Sequence, residues 1–215
     1  MTRRLSATRY GADMPGYRDL FDASITDPAG FFSDTTGIAG NVTGVRVQMY
    51  GLSHNNVQDL DMLLTAPDGS HNLQFWSDAG DGAVNGITAF VRDDYTNFGG
   101  SLLPQGTLGS FGQYGAANYG ETETAGDYGT TGGITTPSGS TPFRTAFTGA
   151  AAGGEWTLSI HDDTAGNTGT LDSWALVVET DSGSATVTGR VQRHPDRRRR
   201  ENRSLYLQQF LTIQF

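Results

Sequence analysis

The sequence predicts an all-β sandwich or barrel, and three observations carry that prediction. Short apolar runs with a period of two recur roughly every 8–12 residues outside one long stretch, as strands separated by turns do. Thirty glycines stand against seven prolines in 215 residues, which suits a chain of many turns. No segment alternates a strand pattern with a helical one, so a parallel strand–helix design is excluded. With 36% hydrophobic residues, the chain can bury one sizeable core but not two full domains.

Taken in order, residues 1–20 are polar and read as an arm. From Phe21, apolar points separated by Asp, Pro and Gly predict a short strand and turns. Residues 44–50, GVRVQMY, form the first clean strand, with Val45, Val47 and Met49 inward and Arg46 and Gln48 outward. GLSHNNVQ, at 51–58, reads as a connecting loop. Residues 59–66, DLDMLLTA, have Leu60, Met62 and Leu64 as a core face. Pro67-Asp68-Gly69 is a turn signal, and 72–76 return as the second strand of a hairpin. SDAGDGAVNG is an acidic, glycine-rich loop before ITAFVRDD, a strand with Ile87, Ala89 and Val91 on one face.

Residues 99–140 differ in character, with twelve glycines and no sustained period. They predict an irregular surface excursion held down by aromatic anchors such as Phe111, Tyr114, Tyr119 and Tyr128. Order resumes at Pro142. In 154–178, Trp156, Leu158 and Ile160 alternate with Thr157, Ser159 and His161, and Trp174, Leu176 and Val178 repeat the device. Ala175 and Val177 are apolar as well, so the second run is expected to be covered on both faces. The polar DDTAGNTGT between them predicts a hairpin or two neighbouring strands. Residues 180–189 suit a linker or a last edge strand, and the chain ends in an Arg-rich run and an apolar segment. The domain reading is therefore an arm at 1–20, one β domain at 21–180, and a linker and tail at 181–215.

Charge narrows the function. All fourteen basic residues are Arg and there is no Cys, so no disulfide staples the fold. Residues 1–189 carry a net −14 and 190–215 a net +5, so the body repels nucleic acid and only the tail attracts it. No apolar run reaches the length of a membrane-spanning helix. No apolar h-region follows Arg3, Arg4 and Arg9, so no signal peptide is visible.

Catalytic patterns are lacking: there is no GxSxG, no HExxH, and no glycine loop set between strand and helix. His161 beside Asp162 has the makings of an acid–base pair. Alternation places His161 with Thr157 and Ser159 at the mouth of a turn, and the structural role outweighs the catalytic one. The acids offer more. Asp78 and Asp81 sit in the glycine-rich loop and Asp93 and Asp94 end the next strand, so a fold-back would converge four carboxylates. Such a set, with backbone carbonyls, suits Ca²⁺, which takes six to eight oxygens. The competing reading is that each Asp closes its own turn.

Several phrases in order resemble one family: His54, Asp59-Leu60, Leu64, Pro67 and Gly69, then GEWTL at 154–158, Asp162, and GTLDSWAL at 169–176. SDAGDG at 77–82 and VRDD at 91–94 strengthen the likeness. The stretch from about Phe21 to Thr180 resembles the P domain of kexin- and furin-type proprotein convertases, in its bacterial form. The resemblance implies an eight-stranded jelly-roll β-sandwich, here with a long Gly-rich insertion. It also implies a module that follows a subtilisin-type protease domain and supports its folding, stability and calcium dependence. The expected function is thus a non-catalytic accessory or interaction module of an extracellular or cell-surface system, with a protease domain or neighbouring subunit as partner. A self-assembling structural protein, such as a virion or surface-layer decoration, is the alternative. A hydrolase using His161 and Asp162 is the third.

Overall fold

The computed structural model describes residues 29–34, 38–120, 123–128 and 130–191. The arm at 1–20 and the Arg-rich and apolar tail beyond 191 lie outside the described residues. Twelve strands follow in chain order with one short helix: β1 (Ala29–Asp34), β2 (Val42–His54), β3 (Leu60–Thr65), β4 (Asn72–Ser77), β5 (Val84–Arg92), β6 (Ser101–Leu102), β7 (Phe111–Gly115), β8 (Ala117–Asn118), α1 (Pro142–Phe147), β9 (Glu155–Asp162), β10 (Gly169–Thr170), β11 (Ser173–Thr180) and β12 (Gly183–Val191). The fold is the two-sheet all-β sandwich the sequence predicts. The count roughly matches the eight strands expected, since β6, β8 and β10 have only two residues each.

One sheet runs β6-β7-β5-β2-β11-β12 and the other β1-β9-β3-β4-β8, with β12 hydrogen-bonded both to β11 and to β1. The alternation read from the sequence fills the space between them. Val45, Val47 and Met49 from β2, and Trp174, Leu176 and Val178 from β11, are buried, as are Trp156, Leu158 and Ile160 from β9. Ala175 and Val177 are buried too, so β11 is covered on both faces. α1 adds Phe143 and Phe147, which pack on Phe75 and Trp156 at centroid distances of 5.7 and 5.3 Å. Pro at the first helical position suits a short helix start, because its missing N–H would have no partner there.

Three expectations change. The apolar runs at 156–160 and 174–178 are not neighbours: β9 lies between β1 and β3, whereas β11 lies between β2 and β12. Their large side chains join one core across the sandwich, and the DDTAGNTGT loop crosses from sheet to sheet. A period of two identifies the apolar face but does not say whether its partner lies beside or opposite. Residues 51–54 are not a loop but continue β2 past a bulge, where Gly51 takes φ +70 and Leu52 and His54 return to the interior.

The excursion is also more ordered than its composition implies. β7 runs parallel to β5 and β8 runs parallel to β4, so the chain passes from one sheet to the other at Ala116. Leu103, Leu108, Tyr114, Ala116 and Ala117 enter the core. Residues 183–191 form a last strand but not the edge strand expected, since β12 pairs with β11 from Trp174↔Gly189 to Thr180↔Gly183 and with β1 at Phe31↔Val191 and Phe32↔Arg190.

Candidate functional site

Because Leu60, Met62 and Leu64 face the core, Asp61 must project from the opposite face of β3. That face would be solvated in an ordinary sandwich. Here the excursion covers it, and Asp61 is only 1% exposed. His161 stands directly across the ladder from Asp61, and β4 contributes Gln74 and Ser77. The covering segment is bonded to the sheet edge by its backbone: Gln74 N donates to Thr135 O at 2.9 Å, and Thr135 N donates to Asn72 Oδ1 at 2.8 Å. Asn72 Nδ2 donates in turn to Gly133 O at 2.9 Å.

Polar side chains fill the space beneath. The Asn118 amide donates to Gln74 Oε1 at 2.8 Å, and Gln74 Nε2 donates to Tyr128 Oη at 2.9 Å and to Glu123. The Tyr128 ring meets His161 edge-on at 6.2 Å. Asp61, Asp78 and Glu123 each place an oxygen within 4.8 Å of the other two. Burial pushes the Asp61 carboxyl up to about 9, with the negative charges of Glu123, Asp78 and Asp163 adding to the effect and a Ser77 hydrogen bond opposing it. Burial, then Asp61 and Glu123, likewise raise the Tyr128 hydroxyl.

Backbone geometry marks the same place. Asp78 has φ +50, the one non-glycine residue in the left-handed region among the described residues. A non-glycine residue there is uncommon and concentrates at functional turns. Gly120, at φ +90, lies so close that a Cβ would meet Asp78 Oδ2 at 2.8 Å. Only glycine lets the excursion lie down on that carboxylate.

Of the acids singled out in the sequence, only Asp78 joins this cluster. Asp93 accepts the Phe143 and Arg144 backbone N–H groups at 3.0 and 2.8 Å and so caps α1. Burial raises its carboxyl, and those two hydrogen bonds work against the rise. Asp94 is held below its ordinary value by hydrogen bonds from Arg92 at 2.5 and 2.7 Å. Asp81 is exposed on its loop. The strand end carrying Asp93 and Asp94 therefore faces α1 and Arg92, and the four carboxylates are not brought together.

A second polar centre ties the 55–59 and 163–168 loops. His54 Nε2 lies 3.1 Å from Asp162 Oδ2 with both side chains buried, and His54 Nδ1 lies 2.7 Å from Asn56 O. Asp59 accepts the side-chain amides of Asn56 and Asn167 at 2.5 and 2.6 Å. Asp162 also accepts Thr164 N at 3.2 Å. His54 thus fixes a loop, and Asp162 is turned towards it. His161, one residue earlier, faces the other side of the strand under Tyr128. Adjacent residues on a strand diverge, so His161 and Asp162 do not form an acid–base pair.

Sequence reasoning missed Asp61 and Glu123. An outward Asp on an alternating strand reads as solvated, and a Glu in an aperiodic stretch has no assignable position. The apolar density of DLDMLLTA was the available signal, since a half-exposed strand seldom spares so few polar residues.

A family model for the proprotein convertase P-domain matches residues 132–178, which span α1, β9, β10 and most of β11. No curated protein and no solved structure matches the chain. The chain resembles P domains over the segment that supplies the centre of both sheets.

Proposed function

We propose that the protein is a non-catalytic accessory module, built as a P-domain-like sandwich, that stabilises or binds a protein partner in a secreted or surface-associated subtilisin-type protease system. The observation that carries the reading is the P-domain match at 132–178, on the strands that build the core. The use of the polar residues agrees with it. His54, Asp59 and Asp162 are spent on loop-fixing bonds, and His161 lies under the Tyr128 ring with no carboxylate hydrogen-bonded to it among the described residues. Among the described residues, the exposed large apolar side chains are Phe98, in the turn before β6, Leu102 of β6 and Phe111 of β7, at one margin of one sheet. That margin is the natural face for a partner, because apolar groups gain most from removal from water.

Refolding tests the proposal. A subtilisin-type catalytic domain without a P domain of its own, from the same genome, is refolded with and without an equimolar amount of the chain. The yield of active protease should rise, and the two chains should co-elute. Phe111→Asp, which also loses an edge-on contact with Phe90 at 5.4 Å, should abolish both effects while the chain still unfolds cooperatively. Equal yields with no complex would overturn the proposal.

A further inference from the structure

We propose that Asp61, Asp78 and Glu123 hold one Ca²⁺ that clamps the glycine-rich excursion onto the outer face of the β3–β4–β9 sheet. The proposal is independent of the partner reading above. It rests first on geometry, since three carboxylates from three separate segments place oxygens within 4.8 Å of one another. It rests next on an orphan: Asp61 Oδ1 is wholly enclosed and accepts no hydrogen bond, on a side chain 1% exposed. A buried polar atom without a partner is costly, and a cation is what an enclosed carboxylate oxygen lacks. The left-handed backbone of Asp78 and the glycine contact at 120 show that the chain is bent to bring these groups together.

The donor set selects the metal class. Three carboxylates and no thiol favour a hard divalent cation. Ca²⁺ fits better than Mg²⁺, because it accepts irregular oxygen geometry and fills its remaining positions with backbone carbonyls and water. The clamp has a structural consequence. Asp61 and Asp78 sit on or beside β3 and β4, whereas Glu123 belongs to the excursion, so occupancy ties a segment of low apolar content to the sheet.

The alternative occupant is a proton shared among the carboxylates, and the test separates the two. The full chain, stripped with chelator, is titrated with CaCl₂ by calorimetry, with MgCl₂ as a parallel arm. One Ca²⁺ per chain should bind, Mg²⁺ should bind at least tenfold more weakly, and Ca²⁺ should raise the melting temperature by mass action. Asp61→Asn and Glu123→Gln should each weaken Ca²⁺ binding by at least tenfold. In chelator Asp61→Asn should melt no lower than the parent, which shows that it folds. Ca²⁺ should also slow proteolysis within 119–135 in the parent and not in either variant. Asp81→Asn and Asp94→Asn should bind Ca²⁺ as the parent does. No binding by the stripped parent, or loss of binding in Asp81→Asn with retention in Asp61→Asn, would overturn the proposal; the first of these results would assign the cluster to a shared proton.

Discussion

Trp156 shows how a single residue serves the core. It is fully buried, its indole N–H donates to Ala152 O at 3.1 Å, and its ring packs on Phe147. Trp156→Ala should lower stability by about 3–5 kcal/mol in urea unfolding, because the cavity cannot collapse in a core fixed by two sheets. Asp68, in the 67–69 turn, supplies a pH prediction. Partial burial acts upwards on its carboxyl, but hydrogen bonds from the His71 and Ser70 backbone N–H groups and their side chains bring it down to about 2. A carboxyl with a lowered folded value adds stability that is present above its unfolded value of 3.8 and is lost as the pH falls through about 2. Asp68→Asn should therefore flatten the stability–pH curve between about 4 and 2, and an unchanged acid limb would refute this.

At the scale of the element, bulge and cap decide how strands end and helices begin. Gly51 lies in the left-handed region, and a Cβ there would strike Asp172 Oδ2 at 2.1 Å. Gly51→Ala should cost more than the roughly 1 kcal/mol typical of strain alone, since both the φ angle and the contact oppose it. The measurement is the denaturant midpoint, and a neutral result would mean that β2 can straighten without its bulge. α1 begins without a side-chain cap from its own N-cap residue, Thr141. Asp93, just past the end of β5, fills the role by accepting two backbone N–H groups. Asp93→Ala should cost about 0.5–2 kcal/mol, the range for losing a cap, and Asp93→Asn less. If instead Asp93→Ala left stability unchanged while reducing metal binding, the residue would have to be moved from cap to ligand.

For the whole molecule, β12 is the strand that joins the two sheets. It fills the slot beside β11 along most of its length and then passes to β1 at Phe31↔Val191 and Phe32↔Arg190. A chain ending at Ser182 should lose cooperative unfolding or melt well below the parent, because β11 would expose an unpaired edge. A truncated chain with the parental melting temperature would show that β12 is dispensable. The net charge is unevenly distributed as well, at −14 for residues 1–189. Asp61, Asp78 and Glu123 bring three of those acidic side chains together, with Asp61 enclosed and the other two half-buried.

The sequence by itself determined the class of fold and most of its core. An apolar side chain at every second position can be buried only by a sheet, so Val45–Val47–Met49, Trp156–Leu158–Ile160 and Trp174–Leu176–Val178 announce both strand and face. The ordered phrases GEWTL and GTLDSWAL were legible through their resemblance to P domains, and the P-domain match at 132–178 falls on them. Only the tertiary structure decided which strands lie beside one another and which lie opposite. Period carries no long-range information, so β9 and β11, close in sequence, end in different sheets. The acidic cluster was likewise beyond local pattern. Asp61 is outward on its strand, and it became buried only because the stretch that follows β8, without period of its own, lies over it.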